Sequence, residues 1–217
     1  MNESPMAIFD FDGTIADSWS EMYSIYVEIA EDVGLPRLAM SEIAALRRMT
    51  PAEIIRTVAI PFWKMPRFVR SMREALRERI DAIRPFPEIH EAIQELRKAG
   101  CPCQILSSNS HENVTLFLER YDICEFEGIS CGVSPFGKAA WLKRFRACAA
   151  RKSRVALYIG DEVRDVLAAN RAGVKSIAVS WGYGERSALV STGADFVVDH
   201  PTQLASLVLS VGANFGR

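Results

Sequence analysis

The chain has 217 residues, of which 49% are hydrophobic and 24% are charged, and its formal net charge is −1. This length and composition suffice to bury the core of one large domain or of a domain with an insert, while the near-neutral charge gives no general attraction to nucleic acid or to an anionic membrane. The first residues lack a basic and then apolar secretory signal, and no apolar run approaches the roughly 20 residues of a membrane helix, so we expect a cytoplasmic protein.

The first predicted strand, Met6 to Phe9, is an apolar run that leads directly into Asp10-Phe11-Asp12-Gly13-Thr14. Side chains two positions apart on an extended strand point to the same side, so Asp10 and Asp12 would bring two negative charges together. At about 4 Å, their repulsion is about 4 kcal/mol at an effective dielectric constant of about 20. The pair therefore indicates a nearby cation or a shared proton.

Residues 17–84 are predicted to be helical and contain no strand candidate after residue 19. Ser18-Trp19-Ser20-Glu21 has the form of a capping box, and it should open a helix that stops at Gly34. A longer helix is predicted to begin near Pro66 and to stop before Pro85. We therefore predict an all-helical cap, residues 17–84, inserted between the first strand and the rest of the chain.

Strand and helix patterns alternate from about residue 86 to the end. The later strand candidates are Cys103–Leu106, Val155–Ile159, Ser176–Val179 and Phe196–Val198, and apolar positions with helical spacing lie between them and after the last. This alternation predicts an α/β fold in which a parallel sheet carries helices on both faces. The predicted core consists of residues 1–16 and 85–217.

Polar groups lie where four of these elements end or begin. They are Asp10 with Asp12, the run Ser107-Ser108-Asn109, Lys138, and Asp161 with Asp165. Ligands bind at the carboxyl ends of strands in open α/β sheets, so we expect these groups to lie together. Carboxylates suit Mg²⁺, hydroxyl and backbone N–H groups suit phosphate oxygens, and a lysine supplies a fixed cation. The set indicates phosphoryl transfer, for which a covalent aspartyl intermediate is a reasonable route.

These residues also match a known pattern in order and spacing. In Asp10-Phe11-Asp12-Gly13-Thr14, Ser108-Asn109, Lys138 and Gly160-Asp161-Glu162-Val163-Arg164-Asp165, the chain resembles the haloacid dehalogenase superfamily of hydrolases. The resemblance is to its phosphatase branch with a helical C1-type cap, and it extends over essentially the whole chain. Phosphoglycolate-phosphatase-like members share three further motifs with this chain: Asp17-Ser18, Ala168-Ala169-Asn170-Arg171-Ala172-Gly173 and Trp181-Gly182-Tyr183-Gly184. The resemblance implies a Rossmann-like core and a Mg²⁺-dependent phosphatase that acts on a small phosphorylated metabolite.

The resemblance also implies roles for individual residues. Asp10 would be the nucleophile, Asp12 the general acid and base, and Lys138 a catalytic cation. The implied metal residues are Asp10, Asp12 through its backbone carbonyl, Asp161 and Asp165, the last of which would support the metal or orient Lys138. The residues implied to hold the phosphoryl group are Gly13, Thr14, Ser108 and Asn109, together with Lys138. Family members that cleave carbon–halogen or carbon–phosphorus bonds lack the second aspartate, so the presence of Asp12 disfavours those reactions.

Substrate choice is expected to come from the helical cap. Arg47 and Arg48 could bind a carboxylate or a second phosphate of the substrate, and the alternative is that they are solvated surface residues. Two further functions remain open: a phosphotransferase or sugar-phosphate mutase that uses the same intermediate, and a phosphate-binding module without turnover. We expect no nucleic-acid or membrane partner, and either a monomer or a homodimer.

Overall fold

A computed structural model describes residues 4–32, 34–46, 49, 53, 56–57, 61–134 and 137–214 of the chain. Its strands are β1 (Met6–Phe9), β2 (Ala16–Asp17), β3 (Arg84–Pro85), β4 (Cys103–Leu106), β5 (Phe126–Ser130), β6 (Ala156–Gly160), β7 (Lys175–Val179) and β8 (Phe196–Val198). Its helices are α1 (Trp19–Ile29), α2 (Met40–Leu46), α3 (Met65–Glu78), α4 (Ile89–Lys98), α5 (His111–Arg120), α6 (Lys138–Arg151), α7 (Val163–Ala172), α8 (Arg186–Ser191) and α9 (Leu204–Asn214). Short 3₁₀ segments lie at Phe62–Lys64, Ile80–Ala82 and Pro201–Gln203.

Six of the strands form one sheet in the order β5-β4-β1-β6-β7-β8, and every neighbouring pair is parallel. β1 lies inside the sheet, where Phe9 is opposite Ile105 of β4 and Ile159 of β6. Because all the strands run the same way, their carboxyl ends meet at one edge. The predicted α/β class with a Rossmann-like core is confirmed.

The two faces of β1 explain why this strand is apolar throughout. Ala7 and Phe9 pack into one buried cluster, and Met6 and Ile8 pack into another on the opposite face. A strand covered on both faces has no solvent-exposed side, so its sequence is a continuous apolar run rather than an alternating one. The burial of β1 fixes the position of the residues that follow it.

The described part of the insert is helical. α1 and α3 pack against each other, and β2 and β3, which flank the insert, pair antiparallel with Ala16 opposite Pro85 and Asp17 opposite Arg84. The chain therefore leaves the core and returns to it side by side. The exact boundaries of core and cap stay a prediction. No helix among the described residues is long and apolar enough to cross a membrane.

Two local predictions are wrong. β5 was not among the predicted strands because it contains Glu127 and Gly128 and none of its residues is fully buried, which is typical of a sheet edge. Ser18 precedes α1, but its side chain makes no capping hydrogen bond, and the helix ends at Ile29 rather than at Gly34. The hydroxyl of Ser18 instead donates to Asp12.

Candidate active site

Asp10 follows β1 and is buried inside the sheet at its carboxyl edge. Its backbone N–H donates to the carbonyl of Ile159 at 2.8 Å, and its Oδ1 accepts from the N–H of Phe11 at 2.8 Å. Its Oδ2 lies 2.6 Å from Nζ of Lys138, the first residue of α6. Burial raises the pKa of Asp10 to about 7 although Lys138 acts in the opposite direction. Asp10 is therefore fixed by its backbone and paired with one cation.

Lys138 joins two carboxylates. Its ammonium is buried and also lies 2.8 Å from Oδ1 of Asp165, which accepts a further hydrogen bond from the hydroxyl of Tyr158 at 3.0 Å. Burial alone would lower the pKa of Lys138, but Asp10 and Asp165 outweigh burial and raise it. Burial likewise acts to raise the pKa of Asp165, but Lys138 and Arg164 outweigh it and lower that pKa. The lysine is thus held charged between Asp10 and Asp165.

The predicted metal residues Asp10, Asp161 and Asp165 lie together. One carboxylate oxygen from each lies within 4.8 Å of the other two, and all three side chains are buried. Burial raises the pKa of Asp161 well above its usual value, and neighbouring acidic groups raise it further. Lys138 is paired with Asp10 and Asp165, and the neighbouring Arg164 is paired with Glu162, so the described cations leave the cluster short of positive charge. Oxygen donors are the ligands that Mg²⁺ prefers. The residues present therefore fit Mg²⁺, with Asp165 already engaged by Lys138.

Gly13 and Thr14 bring the loop after β1 against Asp161. The Oγ1 of Thr14 donates to Oδ1 of Asp161 at 2.9 Å. Gly13 has a φ of +77°, and a Cβ added there would lie 2.1 Å from Oδ2 of Asp161. Only glycine combines this backbone conformation with so close an approach. Both residues were predicted to contact the phosphoryl group, and here they shape the carboxylate cluster.

Asp12 makes a separate set of contacts. The Nδ2 of Asn109 donates to Oδ2 of Asp12 at 3.0 Å and to Oδ1 at 3.3 Å. The hydroxyl of Ser18 donates to Oδ1 at 2.9 Å, and it also lies 2.6 Å from the hydroxyl of Tyr183. Burial raises the pKa of Asp12, and these donors act in the opposite direction. The second aspartate of the pair is thus held by neutral donors, whereas the first is held by a cation.

The loop after β4 supplies the predicted phosphate-binding residues. Ser108 is half-buried, and its carbonyl accepts from the guanidinium of Arg73 in the cap helix α3. The backbone N–H of Asn109, predicted to bind phosphate, donates to the hydroxyl of Ser107 at 3.0 Å. The Oδ1 of Asn109 accepts from the side chain of Asn113 at 3.0 Å and from the next backbone N–H at 2.8 Å. These two bonds orient the Asn109 amide so that its Nδ2 faces Asp12.

Several side chains at this edge of the sheet were not predicted from the sequence. Ser18, Tyr183 and Asn113 contact the predicted residues directly or through Asn109. Ser18 was interpreted as a helix cap, and a serine or asparagine next to a helix start gives no signal that separates capping from a distant contact. Arg47 and Arg48 lie outside the described residues.

A cavity of about 150 Å³ lies where the cap meets this edge of the core. Its cap side is apolar and includes Trp19 and Leu46, and its core side includes Glu162 and Tyr183. Tyr183 therefore faces the cavity and is also linked through Ser18 to Asp12. The full lining is Trp19, Ile43, Leu46, Met49, Glu162, Val163, Tyr183 and Gly184.

Comparisons with known proteins agree with this geometry. The family model of the haloacid dehalogenase-like hydrolases matches residues 7–179. A phosphoglycolate phosphatase of Synechococcus elongatus is 31% identical over 202 residues, which are 93% of this chain and 95% of that protein. A phosphoglycolate phosphatase of Xanthomonas campestris is 28% identical over 212 residues, which are 91% of this chain and 93% of that protein.

Solved structures show the same fold. A predicted phosphatase from Clostridium acetobutylicum superposes with a TM-score of 0.77 at 18% identity, covering 96% of this chain and 99% of that one. A protein described as a putative phosphoglycolate phosphatase from Lactobacillus plantarum gives a TM-score of 0.76 at 17% identity, covering 94% and 99%. The sheet edge described above is therefore part of a fold shared along the whole chain.

Proposed function

Because the chain belongs to the family of haloacid dehalogenase-like hydrolases, we propose that it is a Mg²⁺-dependent phosphatase that hydrolyses a small phosphorylated metabolite through an aspartyl phosphate on Asp10. One observation carries this proposal. Asp10 is buried, paired with Lys138 and clustered with Asp161, while Asp12, two residues on, is held apart by Asn109 and neutral donors. The two aspartates thus have different surroundings, as a nucleophile and a proton-transfer group require.

In the first step, a carboxylate oxygen of Asp10 attacks phosphorus and the bond from phosphorus to the leaving oxygen breaks. Lys138, in contact with Asp10, offsets negative charge on the phosphoryl oxygens. Asp12 in its acid form gives its proton to the leaving oxygen, so that an alcohol departs rather than an alkoxide. Asn109 and Ser18 hold the Asp12 carboxyl in place during this transfer.

In the second step, water attacks phosphorus and the bond to Asp10 breaks. Asp12, now a carboxylate, takes the proton from this water, and Asp10 leaves as a free carboxylate. The products are the alcohol and inorganic phosphate, and both aspartates return to their starting protonation states. One group therefore serves as acid and then as base.

Mg²⁺ would be held by the carboxylates of Asp10 and Asp161 and by the backbone carbonyl of Asp12. When bound, it supplies positive charge that offsets the charge of the phosphoryl group and of the carboxylate cluster. Asp165 already bonds Lys138 and orients it toward Asp10. Ser108 contributes its hydroxyl to the phosphoryl oxygens.

The first substrate to test is 2-phosphoglycolate, because the relatives from Synechococcus elongatus and Xanthomonas campestris are named for it. We further propose that the reaction takes place in the cytoplasm and that the enzyme acts as a monomer or a homodimer. Neither point enters the chemistry above.

Steady-state hydrolysis of 2-phosphoglycolate and p-nitrophenyl phosphate, measured with added Mg²⁺ and with excess chelator, tests the proposal. We expect activity with Mg²⁺, loss of activity with chelator, and loss of activity in Asp10→Asn. Asp32→Asn, a change at an exposed residue of the cap, should retain full activity. Undiminished activity of Asp10→Asn would contradict the nucleophile assignment, and label transferred to an added alcohol in preference to water would indicate a phosphotransferase.

A further inference from the structure

Arg73 is half-buried, whereas the other arginines of α3, Arg67, Arg70 and Arg77, are exposed. Arg70, Arg77 and Arg79, on and just after α3, each form an ion pair with a glutamate. No ion pair links Arg73 to any residue that the structure describes, although its side chain is half-buried. Its guanidinium donates to the carbonyl of Ser108, and its buried Nε has no hydrogen-bond partner among the described residues.

An unpartnered buried donor on a charged group is costly. A guanidinium offers five N–H donors, and hydrogen bonds to charged groups are stronger than those between neutral groups, so a buried Nε without an acceptor forgoes a substantial stabilising contribution. Most buried polar groups in folded proteins have a hydrogen-bond partner, so a buried donor without one calls for an explanation, and a bound anion is one. Arg73 therefore has capacity for an anion that the described residues do not supply.

Arg73 lies at the rim of the proposed active site. The guanidinium of Arg73 contacts Ser108, which is expected to hold the phosphoryl group. The backbone carbonyl of Arg73 accepts a hydrogen bond from the side chain of Asn113 at 3.0 Å, and this bond anchors α3 on the core. The thiol of Cys131 lies close enough to Arg73 and to the two aspartates for their charges to act on it. Burial raises its pKa, Asp12 and Asp10 raise it further, and Arg73 lowers it.

We propose that Arg73 binds the carboxylate of the substrate and is therefore a specificity-determining residue of this site. This inference rests on the proposed function, in which 2-phosphoglycolate is the first substrate to test. A planar guanidinium matches a carboxylate with two parallel hydrogen bonds. Two other described cations lie beside the carboxylate cluster, and both form ion pairs: Lys138 with Asp10 and Asp165, and Arg164 with Glu162. The Nε of Arg164 is also buried without a described partner, so the absence of an ion pair with any described residue is what distinguishes Arg73. One guanidinium without an ion pair among the described residues matches the single negative charge of a carboxylate.

Two esters of similar size separate this role from a structural one. 2-Phosphoglycolate carries a carboxylate, and 2-hydroxyethyl phosphate carries a neutral hydroxymethyl group in its place. We expect Arg73→Gln to lower kcat/KM for 2-phosphoglycolate by about 30-fold or more, the value for one hydrogen bond to a charged group, and to change kcat/KM for 2-hydroxyethyl phosphate less than about threefold. Arg77→Gln, one turn further along α3 and paired with Glu112, should change neither value.

An equal loss for both esters in Arg73→Gln would overturn the proposal, because it would show that the arginine only fixes the Ser108 loop. A second measurement makes the same comparison without turnover. Binding of both esters is measured by calorimetry to the single variant Asp10→Asn and to the double variant that carries both Asp10→Asn and Arg73→Gln. Selective loss of 2-phosphoglycolate binding supports the proposal even if the wild-type chain hydrolyses neither ester, in which case the proposed function fails. Binding of 2-phosphoglycolate that is unaffected by Arg73→Gln would overturn the inference while leaving the phosphatase proposal intact.

Discussion

The side-chain amide of Asn109 donates to both carboxylate oxygens of Asp12, at 3.0 and 3.3 Å, across 97 residues of sequence. The Oδ1 of Asn109 accepts hydrogen bonds from the backbone of Ser110 and the side chain of Asn113. Turning the amide round would break both bonds, so its Nδ2 is fixed toward Asp12. Asn109 is therefore a positioning residue for the proposed acid and base.

Replacing Asn109 with alanine should release Asp12. We expect kcat to fall by about 10- to 100-fold with little change in KM, because an amide pair worth about 1–3 kcal/mol orients the proton-transfer group rather than the substrate. Steady-state kinetics with 2-phosphoglycolate measures this. Asn170→Ala, an exposed position on α7, is the control and should not change kcat. A rise in KM at unchanged kcat would assign Asn109 to substrate binding instead.

Gly13→Ala should damage both stability and the carboxylate cluster. The left-handed backbone at φ +77° costs about 1–2 kcal/mol for alanine, and the added methyl would collide with Asp161. Gly132→Ala is a matched control, since Gly132 has a φ of +70° and nothing within 4 Å of an added Cβ. Chemical unfolding and Mg²⁺-dependent activity should show a larger loss for Gly13→Ala. Equal losses in the two variants would mean that Asp161 tolerates the methyl.

Lys138→Met should destabilise the fold as well as remove activity. It leaves Asp10 and Asp165 buried without their cation, and breaking such a buried pair costs about 3–5 kcal/mol. Urea unfolding without Mg²⁺ measures the loss. Lys143→Met on the exposed side of the same helix should change the unfolding free energy by less than about 0.5 kcal/mol. A Lys138→Met variant as stable as the wild type would show that the carboxylates find other partners.

Asp195 should make the fold sensitive to acid. It accepts from the backbone of Ser176 at 2.9 Å and from Lys175, and it links the start of β7 to the segment before β8. Burial acts to raise the pKa of Asp195, but Lys175 and Ser176 outweigh burial and lower it. A carboxyl whose pKa is lower in the folded than in the unfolded protein stabilises the fold at pH values above its unfolded pKa, which is about 3.9. This stabilisation is lost as the pH falls through the pKa of the folded protein.

Asp195→Ala should therefore lower the unfolding free energy by about 1–2 kcal/mol at pH 7, and the difference from wild type should shrink below about pH 4. Thermal unfolding across this pH range checks it, and activity at pH 7 should not change. Asp32→Ala, at an exposed residue, should be neutral throughout. A difference that is the same at pH 7 and pH 3 would exclude the charge of Asp195 as its cause.

The sequence was enough to predict the strands that carry the site because those strands are buried on both faces. β1, β4 and β8 have the predicted bounds, β6 is shifted by one residue at both ends, and β7 begins one residue earlier than predicted. The half-buried β5 was missed because its burial depends on a partner strand rather than on its own composition. Parallel strands then bring Asp10, Lys138, Asp161 and Asp165 to one edge, as their positions after strands or at a helix start predict.

Contacts between side chains were less predictable. Ser18 has the local pattern of a helix cap, yet its hydroxyl bonds Asp12 and Tyr183, and Tyr183 is 165 residues away. The hydroxyl of Ser18 can bond either the first turn of α1 or a distant residue. Which of the two it bonds depends on how the helical insert packs on the core, and the local sequence does not contain that information. The same holds for Arg73, whose contact with the carbonyl of Ser108 depends on how the cap packs on the core.

The most direct test of the central claim is a search for phosphate on Asp10 in Asp12→Asn with p-nitrophenyl phosphate. The p-nitrophenolate leaving group needs no proton, so the first step should proceed, whereas the second step lacks its base and should be slow. We predict a burst of one p-nitrophenolate per enzyme and, after borohydride reduction, homoserine at residue 10. Turnover by the wild-type enzyme with neither a burst nor a modified residue 10 in the variant would contradict the covalent mechanism.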